Sequence, residues 1–178
     1  MNRKFKLNPN VIGVKGYKLD LENIKLIKTI NTDYFLKNYK ISNIWWGKWI
    51  IKRLINRVFK RRIHQKMIWD KSFWNNIEVK LAKTEIPNDK YLNTKELELQ
   101  IKPEVKKRRF KDIKNFQNNL AKGTKYPPPL YITGQSLNYL GGEINTDLLF
   151  ILDGSRRITA HILNRNNQEI ILIDMKNI

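Results

Sequence analysis

One junction constrains the fold of this chain more than any other stretch. In "LLFILDGSRRITAHIL", residues 148–163, five apolar residues run into Asp153-Gly154, and a helical pattern follows at once. A short apolar run of this kind is a strand buried on both faces. Gly154 permits the sharp turn that ends it. Downstream, "EIILIDM" reads as a last strand, and upstream Leu130 to Thr133 reads as another once the prolines of "YPPPLYIT" are passed. Strands and helices in this order predict an α+β protein.

The remaining elements follow from periodicity. "IEVKLAKTEI" alternates as a strand does, and "PNDKY" is a turn. "IKPEVKKRRFKDIKNFQNNLAKG" reads as a basic connection leading into a helix, with Ile113, Phe116 and Leu120 on one side and Gly123 past its end. Residues 134–147 read as a polar loop or hairpin. "GYKLDLENIKLIKTI" fits a strand or the start of a helix, and Thr32 or Asp33 suits a helix start.

Charge divides the chain. Residues 1–75 hold 18 Lys and Arg against 4 Asp and Glu, whereas residues 76–178 hold 17 against 12. The sequence therefore divides into a basic, Trp-rich, largely helical segment, 1–75, and a domain over 76–178. A net charge of +19 attracts nucleic acid, an anionic membrane surface or an acidic protein. Within residues 43–74, Ile50, Ile51, Leu54, Ile55 and Val58 line one helical face. Lys48, Lys52, Arg53, Arg57, Lys60 and Arg61 occupy much of the remainder. Three readings fit this helix: packing on the domain, lying on an anionic membrane, or contacting DNA phosphates and bases. The chain has no cysteine, which excludes disulfides and thiolate chemistry. It has no secretory signal and no long apolar run, so a cytoplasmic protein is expected.

The chemistry concentrates at the junction. A helix start exposes backbone N–H groups and partial positive charge, which suit a phosphate. Ser155 can cap the helix or donate to the ligand, and Arg156 and Arg157 carry donors that match phosphate oxygens. Arginine in a first helical turn is electrostatically unfavourable, so two in succession point to an anion there. Asp153, at the end of a strand, suits a magnesium ion or a proton. The alternative is structural: a tight turn, a cap and two solvated arginines. His161 and His64 read as ordinary helix histidines, and Glu143 stands in a loop that nothing ties to the turn.

"DGSRRITAHIL" after an apolar strand, with "PPPLYI" upstream and "EIILID" downstream, resembles the ParB/sulfiredoxin-like superfamily over about residues 76–178, which implies a small mixed β-sheet with helices. The ParB turn is Gly-Glu-Arg-Arg followed by a pair such as Arg-Ala. Gly154, Arg156, Arg157 and Ala160 match it, and Ser155 replaces the glutamate. The cysteine on which sulfiredoxins depend is absent. ParB clamps bind cytidine triphosphate through this turn and flanking motifs, and carry a helix-turn-helix domain that has no counterpart in these residues. Free-serine kinases have Asp-Gly-His-His-Arg here; Asp153, Gly154 and Arg157 match, both histidines are missing, and Glu104 in "KPEV" stands nearest to their catalytic glutamate. The resemblance implies a nucleoside triphosphate with Mg2+, held by Gly154, Ser155, Arg156 and Arg157. It also implies hydrolysis or phosphoryl transfer involving Asp153 and Glu104. A non-catalytic DNA-binding protein is the alternative.

Overall fold

The structure is a computed structural model and describes residues 19–38, 71–85 and 94–176. Asp20 opens it by capping a short 3-10 turn, Leu21–Asn23, whose Asn23 side chain bonds back to the Asp20 amide. Strand β1 (Ile24–Ile30) follows, then helix α1 (Thr32–Asn38). The side chain of Asn31 accepts from the Tyr34 amide at 2.9 Å, so the α1 cap lies one residue before Thr32. Helix α2 (Lys71–Asn75) leads into β2 (Ile77–Thr84). Helices α3 (Thr94–Glu104) and α4 (Lys107–Ala121) precede β3 (Leu130–Thr133), and α5 (Gly134–Tyr139) follows it. Then come β4 (Leu149–Asp153), α6 (Ser155–Leu163) and β5 (Glu169–Met175).

The fold is α+β. Among the described residues, five strands form one mixed sheet in the order β1-β2-β5-β3-β4. Only β3 and β5 are parallel; the other neighbours are antiparallel. Two parallel neighbours cannot be joined by a tight turn, and here β4 and α6 together make the crossover. The central strand β5 is buried from Ile170 to Ile173, which explains why its sequence is a continuous apolar run.

The sheet curls strongly. Leu21 donates its amide to the Asp147 carbonyl beside β4, yet Ile24 pairs with Thr84 on β2. Three residues reach at most about 11 Å, whereas the four strand spacings of a flat sheet would span about 19 Å. One edge must therefore bend back toward the other, and an Asp20–Leu148 bridge joins them.

Each face carries its own core. Ile101 of α3, Ile113 of α4, and Ile158 and Ile162 of α6 pack on Tyr131, Leu149 and Leu172. On the other face, Phe35 of α1, Phe73 of α2 and Leu137 of α5 pack on Val79, Ile132, Ile171 and Ile173. Burying this apolar area supplies the main force holding helices to sheet. The charge boundary at 75/76 does not mark an edge of the sheet. Strand β1 lies before it and pairs with β2 along its length, and Leu19, Phe35 and Phe73 are wholly buried in the two cores.

Two helices depart from what periodicity suggests. Residues 134–147 begin with α5 rather than forming a loop throughout, because Thr133 caps the Ser136 amide. Six residues are too few to register as a helical period. Residues 101–104, expected as the start of a connection, instead end α3, with Ile101 as its buried anchor. The expected basic helix, with Lys48, Lys52, Arg53, Arg57, Lys60, Arg61 and His64, and the expected "PNDKY" turn fall on residues outside the described ones. No helix among the described residues is long and apolar enough to cross a membrane.

Candidate anion-binding site

Strand β4 ends at Asp153, and Gly154 turns the chain with φ 87 and ψ 18. That left-handed conformation favours glycine. A β-carbon at Gly154 would also lie 2.9 Å from Cα and Cβ of Pro129 and from Nη2 of Arg157. The space above Gly154 is thus filled by Pro129, and glycine serves both the turn and this close approach. Because Gly154 offers no capping side chain, no side chain caps α6. The Ile158 amide makes the first helical bond, to the Gly154 carbonyl at 3.0 Å. Ahead of it stand the amides of Ser155, Arg156 and Arg157, the ones a helix leaves without intrahelical partners.

Helix α4 lies alongside α6 and runs the same way. Arg109 Nη2 donates to Ser155 Oγ at 3.1 Å near both starts. Arg156 Nη1 pairs with Asp112 Oδ2 at 2.8 Å one turn on. Near their ends, Asn164 Nδ2 donates to the Gln117 carbonyl at 3.1 Å. Both positive dipole ends therefore meet at one place, and neither first turn holds an acidic residue. Lys106, Lys107, Arg108 and Arg109 gather at one start, Arg156 and Arg157 at the other. Asp112 and Asp153 are the carboxylates seen pairing with them.

The two arginines of the turn part company. Arg157 folds inward: its Nη2 lies 2.8 Å from Asp153 Oδ2, its Nη1 donates to the Pro127 carbonyl, and its side chain is 13% exposed. It ties the end of β4 to the proline segment entering β3. Arg156 leans toward α4 and stays 47% exposed. Arg109 and Arg156 thus flank the start of α6, with Arg157 turned toward Asp153 and Pro127.

Asp153 carries Arg157 on one oxygen, and among the described residues no three His, Cys, Asp or Glu side chains group to hold a metal. Glu104 is the last residue of α3, five positions before Arg109, so its backbone stands on the approach to the start of α4. Glu143 is exposed on the loop before β4, at the opposite end of that strand from Asp153. His161, in the last turn of α6, is half-buried, and its Nδ1 is buried without a hydrogen-bond partner among the described residues. Burial, followed by the nearby charge of Arg157, pushes its pKa down to about 4. It is a neutral helix histidine at ordinary pH.

Sequence inspection missed Arg109 and Asp112, because "KKRR" reads as a connection until α4 is seen beside α6. It also missed a polar cluster at the far end of the sheet. There Lys80 Nζ lies 2.9 Å from Asp174 Oδ2, and Thr133 Oγ1 donates to Asp174 Oδ1 at 2.9 Å. No family model, curated protein or solved structure matches the chain.

Proposed function

We propose that this protein binds a phosphate-bearing ligand, a nucleoside triphosphate by class, at the start of α6. The observation that supports it is the parallel pair of helix starts, both basic and both without acid, joined by the Arg109–Ser155 hydrogen bond. Two converging dipole ends crowded with cations repel one another, and an anion at the α6 amides relieves that repulsion. Arg156 and Arg109 then hold the phosphate oxygens, while Arg157 braces the turn from beneath. The match of Gly154, Arg156, Arg157 and Ala160 to the ParB-type turn, on an α+β mixed sheet, favours a ParB/sulfiredoxin-like protein. Asp153 and Glu104 are the carboxylates offered for hydrolysis or transfer.

Thermal denaturation with nucleoside triphosphates, with inorganic phosphate, and with or without Mg2+ tests this. A ligand at a hundred times its Kd stabilises by about 2.7 kcal/mol, which a melting curve resolves. The Arg109→Ala/Arg156→Ala double variant should melt near the parent temperature and lose the ligand-induced rise. A chain whose melting temperature none of these ligands moves would refute the proposal.

A second reading, DNA binding, is favoured by exposed Lys106, Lys107, Arg108 and Lys111 on the first turns of α4. It predicts affinity that falls steeply with salt, in proportion to the phosphates neutralised. Removing Arg156 alone would then weaken binding only modestly.

A further inference from the structure

The two edges of the sheet are treated differently. The β4 edge is met by the chain itself: Leu149 donates its amide to the Leu19 carbonyl, and Asp20 bridges Leu148. Strand β1 ends the other side of the sheet, and among the described residues no strand pairs with its outer edge. None of its seven residues is buried, and Leu26 and Ile27 are 55% and 47% exposed.

A bulge shapes this edge. Leu26 pairs with Ala82 and Lys28 with Leu81, so Ile27 is an extra residue on β1. Without it, Lys25 and Lys28 would lie on opposite faces. With it, Lys25, opposite Lys83, and Lys28, opposite Leu81, share one face with Lys83. Lys25 and Lys83 are like charges directly across a strand pair, which is destabilising. None of the three lysines has an ion-pair partner among the described residues. Glu169 stands opposite Lys83 on β5 without forming a bridge.

We infer that β1 is a docking edge for an extended acidic segment of a partner protein. The segment adds a strand beside β1, its backbone bonding to the open edge. Alternate carboxylates fall over Lys25, Lys28 and Lys83, and its apolar side chains cover Leu26. The exposed apolar residues and the strand edge favour a polypeptide over a nucleic acid. A second copy of this chain suits the edge poorly. Antiparallel self-pairing about Ile27 sets Lys28 diagonal to its own counterpart, and each copy brings a charge of +19.

The probe is a fluorescent hexapeptide alternating glutamate and valine, titrated into the full chain and followed by anisotropy. Methylating alternate amide nitrogens leaves its charge intact but blocks the backbone bonds, and should weaken binding by about tenfold or more. Reversing the protein's charges at Lys25→Glu, Lys28→Glu and Lys83→Glu should abolish binding and create affinity for the matching lysine–valine peptide. That gain also shows that the variant is folded. Equal affinity for the methylated peptide would mean charge attraction alone and overturn the inference. So would sedimentation showing a dimer that the charge reversal dissolves, or amide-exchange protection on peptide binding that bypasses residues 24–30.

Discussion

The two ends of the sheet use similar chemistry to different effect. At the Asp174 end, Lys80 and Asp174 are 11% and 13% exposed at the side chain. Asp174 Oδ1 accepts from Thr133 Oγ1 and from the Met175 amide, and Thr133 Oγ1 lies 2.9 Å from Ser136 Oγ. Burial alone would lower the pKa of Lys80 and is the largest single influence. Asp174 and Glu78 together outweigh it, and the pKa ends above the usual lysine value. At the Asp153 end, Arg157 is as enclosed as Lys80, but Asp153 is 45% exposed. The difference lies in what adjoins each pair. The Asp174 cluster sits among strands whose groups satisfy one another, so its donors and acceptors are spent. The Asp153 cluster sits where two helices begin, and a helix start always has amides left over. A closed pair holds the fold together, whereas an open one can also take a ligand.

The largest test of this contrast is the paired loss of the cations. Lys80→Met leaves a buried carboxylate uncompensated and should cost about 3 kcal/mol in urea denaturation. Arg157→Met leaves a carboxylate that water reaches and should cost about 1 kcal/mol. Equal costs would erase the distinction between the ends. Next, Gly154→Ala forces a left-handed alanine against Pro129 and should cost about 2 kcal/mol, while an alanine replacing the exposed Gly123, where a β-carbon meets nothing within 4 Å, bears only the left-handed strain and should cost less. Chemical denaturation of the two variants side by side checks the order.

The smallest effect is on pH dependence. His161 has a folded pKa of about 4, below its ordinary 6.5, so between these values the unfolded chain binds the proton more readily. Its contribution to stability is complete above pH 6.5 and declines as pH falls toward 4. His161→Gln should flatten that part of the melting profile. Bound phosphate should offset the charge of Arg157 and raise the His161 pKa, visible as a shifted NMR titration. A titration unmoved by saturating ligand would place the anion away from α6.

Much of the sheet is legible in the chain. Strand β5 falls on "EIILIDM", and β3 on Leu130–Thr133. The junction at Gly154 is legible as well, since an apolar run, a glycine and an amphipathic helix leave little choice of local structure. Helix α5 was hidden because its six residues are too few to show a helical period, and α3 because its start lies outside any apolar pattern, with Ile101 as its buried anchor. The split of Arg156 from Arg157 was hidden too: consecutive residues on a helix point about 100° apart, and only a neighbour decides what each one finds.

Sequence alone determined the turn, since a left-handed Gly154 between a strand and a helix follows from local sterics and apolar patterning. It also determined the excess of positive charge. Tertiary structure decided what those charges meet. Packing α4 parallel to α6 brought Arg109 to Ser155 and Asp112 to Arg156, and curling the sheet closed the β4 edge while leaving β1 without an outer partner strand among the described residues. Partners so far apart in the chain are chosen by the burial of Ile113, Ile158 and Ile162 against the sheet, a force that acts on area and carries no local signature.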